Sequence, residues 1–407
     1  MTIRIKHYLF LFILIFVISL FFKLKIVYEL PLGTISNEYG LSGFDDEPAH
    51  LNYVKYLLDN NKLPKFETKV IDPNAFVTNE FEYHQPPLYY SIIYSLSKLF
   101  FVTDLNEILI LGRIFNVFLS LVGLIVLFTI FKVLELSDVE ILTALSIYLL
   151  LGSSVYQFTV FGNDALSWVL LWFLLLLILK GIIKNWIMIV IVLTLSHYTK
   201  LSILPFYLLL FLSLFLEIKK YGLSRTMTTK VIAVMVLPLI FSLPWYIRNY
   251  NEYGSFFLMN FFNGEWHFVK TFEESFVKLM KMPYSFLFRM HFLPPKYVLS
   301  WLNIIPYLWL GASIVLWILR VRNIFKFGYK IQILNFLLIL IVGAYLYYAI
   351  PTGYTEGRFL YPALPAIIYY MTEVLFEKKI KDILFEGWQI AFVLLVFLPS
   401  YVVGFYF

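Results

Sequence analysis

The chain has 407 residues, of which 61% are hydrophobic and only 14% are charged, and its mean hydropathy is +0.80. This composition excludes a soluble globular protein, and the net charge of +6 does not indicate nucleic-acid binding, because the basic residues lie in short stretches between apolar segments. The absence of cysteine excludes disulfides and thiolate metal sites.

Apolar segments of about 20 residues, long enough to cross a bilayer, recur along the chain. They predict an all-α polytopic membrane protein with about eleven transmembrane helices. The first span follows Arg4 and Lys6 like a signal sequence, but no small-residue cleavage site follows it, so we expect it to be retained. The predicted spans lie near residues 8–27, 109–131, 140–161, 165–179, 185–199, 201–217, 231–247, 301–319, 331–350, 359–376 and 388–407.

The basic residues are unevenly distributed between the two sets of connections. One set contains most of them, whereas the opposing short connections offer only Lys200 and Arg358. The positive-inside rule therefore predicts a plasma-membrane protein with a cytoplasmic N-terminus. Near the outer end of the first span, Lys23 and Lys25 are expected to extend their side chains to the membrane surface. The segments predicted to lie outside are 28–108, 248–300 and 351–358.

The first outer segment contains two predicted amphipathic helices that lie in the membrane interface. Asp46 can cap the first helix, and Pro48 is tolerated in its first turn. The dipeptide Pro86-Pro87 begins the second helix. The apolar stripes comprise Leu51, Val54, Leu57 and Leu58 in the first helix and Leu88, Ile92, Leu96 and Leu99 in the second. In the next outer segment, Thr271 and Glu274 form a predicted capping box among many aromatic residues.

Polar residues from several segments meet at the predicted outer face. A single charge at a helix end usually contacts lipid headgroups, where its cost is small. Acids in one segment combined with cations in others are instead typical of a phosphate-bearing lipid site beside a carboxylate base. The residues are Asp45, Asp46, Glu47, His84, Asn163, Asp164, His197, Lys200, Arg248, Glu356 and Arg358.

The acidic triplet Asp45, Asp46 and Glu47 has three interpretations. A carboxylate at this place could take a proton from an attacking hydroxyl, which contributes about 10²–10⁴ in rate. Asp46 could instead only cap the helix, whose N-terminus would make it a weaker base. Metal binding with His84 or His50 is the third interpretation, although the spacing matches no metal signature.

The cations Arg248 and Arg358 stand where spans meet the outer face. The guanidinium fork of arginine binds phosphate oxygens in two places, and Lys200 offers a point charge for the same purpose. The alternatives are headgroup contacts, or an ion pair between Arg358 and Glu356.

Short motifs occur in order along nearly the whole chain. They are Asp46-Glu47-Pro48-Ala49-His50, His84-Gln85-Pro86-Pro87-Leu88-Tyr89-Tyr90, Gly162-Asn163-Asp164-Ala165-Leu166, Thr199-Lys200, Arg248-Asn249-Tyr250 and Gly357-Arg358-Phe359-Leu360-Tyr361-Pro362. This set resembles the GT-C superfamily of polytopic glycosyltransferases. It is most similar to the dolichyl-phosphate-mannose–protein mannosyltransferase and aminoarabinose transferase group and its prokaryotic relatives.

The resemblance implies an inverting transfer of a sugar from a polyprenyl-phosphate donor to an acceptor hydroxyl outside the membrane. In such families an acid after the first span acts as the base or orients the acceptor. Asp46 matches that position, with Glu47 adjacent and Asp45 as a stand-in. The implied partners are a polyprenyl-phosphate sugar, a glycan, lipid or protein acceptor, and membrane lipids, with no nucleic acid.

The sequence departs from the family at Gln85, where members often have a lysine that contacts the lipid phosphate. Arg248, Lys200 or Arg358 would have to supply that charge. Phosphate is already a good leaving group, so no metal is required, and a divalent cation stays an alternative. The predicted substrate-binding residues are His84, Gln85, Asn163, Asp164 and Glu356.

We expect two membrane modules. Residues 1–250, including the outer segment 28–108, form the catalytic module. Residues 251–407, with the outer segment 251–300 and four spans, complete the lipid groove and the acceptor side.

Two other functions compete with this interpretation. A polymerase or ligase of lipid-linked glycans would depend on acids in late outer segments. A flippase or transporter would show inverted repeats and polar residues near the midplane. The apolar spans, with polar groups at one face, argue against transport.

Overall fold

The computed structural model describes residues 3–29, 47–65, 85–222, 224–256, 286–287, 304–352, 357–377, 389–394 and 396–397. All regular elements in these ranges are helical, as predicted. The α-helices are α1 (Ile3–Glu29), α2 (Glu47–Asn60), α3 (Leu88–Leu99), α4 (Leu105–Val133), α5 (Asp138–Leu150), α6 (Gly152–Gln157), α7 (Asp164–Leu179), α8 (Trp186–His197), α9 (Leu204–Tyr221), α10 (Arg225–Tyr253), α11 (Ile304–Val321), α12 (Tyr329–Thr352) and α13 (Leu364–Phe376). Short 3₁₀ turns cover Leu201–Ile203, Ile324–Lys326 and Gly357–Ala363.

Within the described residues, six helical stretches are long and apolar enough to cross a membrane, and three shorter helices are also apolar. The chain is therefore a multi-pass membrane protein, as predicted. The long stretches are Lys6–Glu29, Leu105–Val133, Leu201–Tyr221, Arg225–Tyr253, Tyr329–Tyr347 and Gly357–Phe376, and the shorter helices are Asp164–Leu179, Trp186–His197 and Ile305–Val321. The predicted number of eleven spans is not confirmed.

One predicted span, 140–161, is broken into α5 and α6. Helix α5 begins with a capping box between Ser137 and Glu140, and the backbone turns extended at Leu151. The glycine and serines that follow are poor helix formers. The hydroxyl of Ser153 in this stretch donates to the carbonyl of Phe286. The predicted span 388–407 lies mostly outside the described residues.

Helix α7 is the centre of the bundle. It is apolar on all sides and almost wholly buried, as expected of a helix with neighbours all around it. It packs against α4 on one side and α8 on another, while α1 packs on α5. Helices α12 and α13, from the second predicted module, pack on α9 and α5 of the first.

Helices α2 and α3 cover one end of this bundle. The predicted apolar stripe of α2 faces inward, with Leu51, Val54 and Leu57 buried against α3 and α4. In the predicted stripe of α3, Leu88, Ile92 and Leu96 are partly buried against the core, whereas Leu99 is exposed. Aromatic side chains are more fully buried. The buried residues of α3 are Tyr89, Tyr90, Ile93 and Ser97.

The opposite end of the bundle carries the basic connections. Lys330 at the start of α12 reaches Glu135 after α4, with 2.6 Å between Nζ and Oε1. Glu217 of α9 accepts the backbone N–H of Ile182 at 2.6 Å, and Lys230 of α10 donates to the carbonyl of Ile183. The hydroxyl of Tyr329 also donates to Oε1 of Glu217 at 3.3 Å, so these contacts bring four helix connections together. That this end is cytoplasmic stays a prediction from the charge distribution.

Lys23 differs from the sequence-based expectation. Its side chain turns into the bundle, where it is buried, and its ammonium donates to the hydroxyl of Ser120. The ring of Tyr148 lies 5.6 Å from the ammonium. The interior of the bundle therefore holds polar groups as well as apolar ones, so the apolar appearance of the spans is weaker evidence against transport than it was from sequence.

Candidate functional site

In the predicted outer segment 28–108, the described residues after α1 begin at Glu47. Asp45, Asp46, His84 and Glu356 lie outside the described residues, as do the predicted capping box at Thr271 and most of the segment around it. The remaining predicted site residues all lie at or near the end of the bundle that α2 and α3 cover.

Glu47, the first residue of α2, is buried in an ion pair with Arg113 of α4. Arg113 donates twice, from Nε to Oε1 at 2.8 Å and from Nη2 to Oε2 at 2.6 Å. The backbone N–H of Phe161 donates to the same Oε1 at 2.7 Å. A carboxylate with three donors and almost no exposure to solvent suits a structural anchor. This anchor fixes the N-terminal end of α2.

Arg113 was not among the predicted site residues. Its Nη1 also donates to the carbonyl of Val27 at 3.3 Å, so one guanidinium ties the ends of α1, α2 and α4 together. The signal was present in the sequence, since an arginine inside an otherwise apolar span is rare and usually has a specific partner.

The loop between α6 and α7 is packed tightly against α4. Gly112 lies so close to the ring of Phe161 that a side chain at this position would collide with it. One turn further along α4, the amide of Asn116 donates to the carbonyl of Gly162 at 3.2 Å. These contacts hold the loop that delivers Asn163 and Asp164 to the site.

Asp164, the first residue of α7, brings two of the predicted phosphate-binding cations together. The ammonium of Lys200 lies 2.5 Å from Oδ1, and Nη1 of Arg358 lies 3.6 Å from Oδ2. The three side chains are between 17 and 25% exposed, so they are half-buried and still accessible. We call this group the Asp164 cluster.

The predicted substrate-binding residues Gln85 and Asn163 are in direct contact beside this cluster. The amide nitrogen of Asn163 donates to Oε1 of Gln85 at 3.1 Å and to the carbonyl of Thr199 at 3.0 Å. Oδ1 of Asn163 is buried and has no hydrogen-bond partner in the described part of the chain. The amide pair joins the segment before α3 to the end of α8.

His50 belongs to the same region, although the sequence suggested it only as part of a motif or as a metal ligand. Its Nδ1 lies 2.7 Å from the hydroxyl of Tyr90, and the two rings are stacked. The other edge of the imidazole lies next to Gly162, where a β-carbon would come within 3.3 Å of Nε2. His50 also interacts electrostatically with Asp164.

Arg248 stands apart from the Asp164 cluster. Its Nη2 donates to the carbonyl of Pro64 at 2.8 Å, and its guanidinium lies 4.8 Å from the ring of Trp245. It interacts electrostatically with Tyr53, which stacks on Tyr90 with 3.8 Å between ring centroids. Tyr53 and Tyr90 therefore lie between Arg248 and His50. No direct contact between described residues joins Arg248 to Lys200 or Arg358.

Arg358 is held in place by the 3₁₀ turn that contains it. Gly357 lies against the backbone of Phe286, where a side chain would not fit. Tyr361 donates to the hydroxyl of Ser153 at 2.6 Å, and its carbonyl accepts from the indole of Trp172 at 2.9 Å. The C-terminal part of the chain is thus locked onto α6 and α7 close to the Asp164 cluster.

Comparisons with family models and with curated proteins give no match. Solved structures do match. ArnT from Cupriavidus metallidurans bound to undecaprenyl phosphate aligns with a TM-score of 0.55 and 13% identity, over 91% of this chain and 60% of that chain. The apo state of the same protein gives a TM-score of 0.52 and 14% identity, over 81% and 55%.

The archaeal oligosaccharyltransferase AglB from Archaeoglobus fulgidus, in complex with an inhibitory peptide and a dolichol-phosphate, aligns with a TM-score of 0.50 and 12% identity, over 97% of this chain and 55% of that chain. A complex of the A. fulgidus oligosaccharyltransferase with Zn and sulfate gives a TM-score of 0.51. In this chain, the residues that the structure describes contain no group of three or more His, Asp or Glu side chains able to hold a metal ion.

ArnT and AglB are both GT-C superfamily glycosyltransferases. The chain therefore has the GT-C fold, and the resemblance found in its motifs is confirmed at the level of the fold. It spans 55 to 60% of the length of these proteins.

Proposed function

We propose that this protein is an inverting membrane glycosyltransferase, which moves a sugar from a polyprenyl-phosphate-linked donor to an acceptor hydroxyl at the outer face of the membrane. One observation carries the proposal: Lys200 and Arg358, from distant parts of the chain, meet at Asp164 beside the helix that follows Asp46. The GT-C fold supports it.

The Asp164 cluster suits a phosphate because it brings two cations to one accessible place. Lys200 and Arg358 both lie at the carboxylate of Asp164 and are partly exposed. A polyprenyl-phosphate sugar has one negative charge, and a second develops on the phosphate as the bond to the sugar breaks. Cations already held in place stabilise such charge without reorganising. In this proposal Asp164 positions Lys200 and Arg358 and is not the base.

The base is assigned to Asp46, with Asp45 as its stand-in. The acceptor oxygen attacks the anomeric carbon, and its proton passes to the carboxylate. The bond between that carbon and the phosphate oxygen breaks, and the phosphate leaves with the electron pair. Attack from the face opposite the leaving group inverts the anomeric centre. Glu47 acts as the anchor for Asp46, because its oxygens are occupied by Arg113 and Phe161.

The remaining predicted residues surround these two centres. Gln85 and Asn163 offer amide groups beside the Asp164 cluster and are proposed to bind the sugar or its phosphate, and His84 and Glu356 are proposed for the same region. Arg248 is proposed to contact the donor on the far side of Tyr53 and Tyr90. No step passes through a metal, and a divalent cation stays an open addition.

The test uses purified protein in lipid nanodiscs with a panel of polyprenyl-phosphate sugars, and it follows the release of polyprenyl phosphate. Asp46→Asn is compared with Asp59→Asn, which removes an exposed carboxylate from the same region of the chain. We expect release by the wild type and by Asp59→Asn, and its loss in Asp46→Asn. Equal turnover in both variants would remove Asp46 from the mechanism.

The same preparation distinguishes the rival functions. In proteoliposomes, movement of the donor across the bilayer without bond cleavage would indicate a flippase or transporter. Repeated addition of sugars to a lipid-linked glycan would indicate a polymerase. Neither outcome is expected.

A further inference from the structure

The four residues His197 to Lys200 join α8 to the 3₁₀ turn before α9, and each of them holds a different part of the molecule. This segment contains a predicted phosphate-binding residue, Lys200, at its end. A lysine side chain has four rotatable bonds, so where its ammonium rests depends on how firmly its backbone is fixed.

His197, the last residue of α8, is buried and uses both of its ring nitrogens. Nδ1 lies 2.8 Å from the hydroxyl of Tyr246 on α10, and Nε2 lies 2.7 Å from the hydroxyl of Tyr207 on α9. A neutral imidazole donates from one nitrogen and accepts at the other, so one tyrosine donates to it and the other accepts. The end of α8 is thereby tied to two neighbouring helices.

The next two residues extend these ties. The carbonyl of Tyr198 accepts the N–H of Leu88, where α3 begins, at 2.8 Å. The hydroxyl of Tyr198 donates at 2.9 Å to the carbonyl of Phe241 on α10, in the turn before Pro244. The carbonyl of Thr199 accepts from Asn163.

Lys200 then leaves the helical path. Its backbone is extended, with φ −165° and ψ 147°, and its side chain reaches Asp164 across the loop that precedes α7. The N–H of Lys200 donates to the carbonyl of Ser196 at 3.0 Å, so its backbone is fixed to the last turn of α8. The ring of His197 ties that turn to Tyr207 and Tyr246.

We propose that His197 is a positioning residue, which acts with Tyr207 and Tyr246 to place the ammonium of Lys200 at the donor phosphate. The effect on catalysis rests on the proposed function, whereas the effect on Lys200 itself does not. Movements of α9 or α10 relative to α8 would be transmitted to the site through the same three side chains.

The first experiment measures the position of Lys200 without any turnover. The protein in nanodiscs is treated with an amine-acylating reagent, and modification of Lys200 is followed by mass spectrometry. In His197→Phe and in the double variant Tyr207→Phe, Tyr246→Phe, we expect Lys200 to be modified about 10-fold faster than in the wild type, because its pairing with Asp164 is loosened. An unchanged modification rate in both would overturn the proposal.

A matched control removes a tyrosine hydroxyl elsewhere. Tyr329→Phe loses hydroxyl contacts with Glu217 and Ile178 at the opposite end of the bundle. We expect it to leave the modification of Lys200 unchanged. Faster modification in this control as well would show a general loosening of the fold and would count against a specific role for His197.

The second experiment is a double-mutant cycle on donor use. If His197 acts through Lys200, adding His197→Phe to Lys200→Met should lower kcat/KM for the donor by less than about 2-fold, although His197→Phe alone lowers it by about 10-fold. His197→Gln, which keeps one hydrogen bond, should recover part of the loss. Additive losses would overturn the proposal. A wild type without turnover would instead reject the proposed function and leave the acylation result to decide the role of His197.

Discussion

Two carboxylate–cation groups stand at the same end of the bundle, and they differ in their contact with solvent. In the pair of Glu47 and Arg113, the side chains are 2% and 1% exposed. In the Asp164 cluster, the side chains of Lys200 and Arg358 are 25% and 19% exposed. The same chemical groups therefore serve two purposes here. The dry pair joins helices, and the wetter cluster is proposed to bind the phosphate of the donor.

The difference follows from the cost of removing charges from water. A fully buried ion pair must be satisfied completely, as Glu47 is by its three donors, and it then has nothing left to offer a substrate. A half-buried cluster is less costly to form, and in the proposed function its cations contact the phosphate of the donor. We therefore expect variants of the buried pair to lower stability and variants of the Asp164 cluster to lower donor turnover.

The largest effect is expected for Arg113→Met, which leaves Glu47 buried without its partner. Breaking a buried pair costs about 3–5 kcal/mol. We expect a large drop in the thermal midpoint of the detergent-solubilised protein, or no folded protein at all. A midpoint like that of the wild type would show that the pair is not the anchor described here.

Asp46→Asn should separate chemistry from stability. Loss of a general base lowers the rate by about 10²–10⁴, and we expect this loss in the release of polyprenyl phosphate at an unchanged thermal midpoint. Glu47→Gln, one residue further along, should lower both the rate and the midpoint. Equivalent behaviour of the two variants would contradict the division of roles between these neighbours.

Lys200→Met should weaken the Asp164 cluster without unfolding the protein. With one cation lost, we expect kcat/KM for the donor to fall by about 10- to 100-fold, as charge-assisted contacts to phosphate are removed. The matched control is Lys65→Met, because Lys65 is an exposed lysine paired with Glu252. Equal donor kinetics in the two variants would show that Lys200 does not face the phosphate.

Gly112→Ala tests the packing around the dry pair. The added methyl group would collide with the ring of Phe161, whose N–H is bound to Glu47. Overpacking of this kind costs about 1–3 kcal/mol. We expect a lower thermal midpoint with a smaller loss of activity than in Asp46→Asn. An unchanged midpoint would indicate that the loop moves aside freely.

The smallest effect is expected at the opposite end of the bundle. The hydrogen bond from Lys330 lowers the pKa of Glu135 below its ordinary value, but both side chains are exposed there. Exposed pairs contribute little. Lys330→Met should therefore leave both the thermal midpoint and donor turnover unchanged. A clear loss of either would show that this exposed pair contributes to stability or activity.

The helical membrane architecture could be predicted from the sequence because apolar length alone reports it. The segments that supply Lys200 and Asn163 could also be chosen, since their polar residues interrupt apolar runs. The contacts between side chains of different helices could not be predicted in the same way. Nothing in the spacing shows that Glu47 binds Arg113, or that Lys23 turns inward to Ser120, because such contacts depend on how helices far apart in sequence pack together.

The break between α5 and α6 was missed for a related reason. Hydropathy continues through residues 140–161, and the extended backbone at Leu151 is stabilised by contacts of the following turn with Tyr361, far along the chain. The apolar stripe of α3 did not show that Tyr89 and Tyr90 are its most buried aromatic residues, because that depends on their packing against distant parts of the chain.

Arg358 comes late in the chain, yet it completes a cluster begun by Asp164 and Lys200. A nascent chain that has been synthesised only as far as α10 contains Asp164 and Lys200 but lacks Arg358. The proposed phosphate site would therefore be complete only after the late segment with Arg358 has packed onto α7.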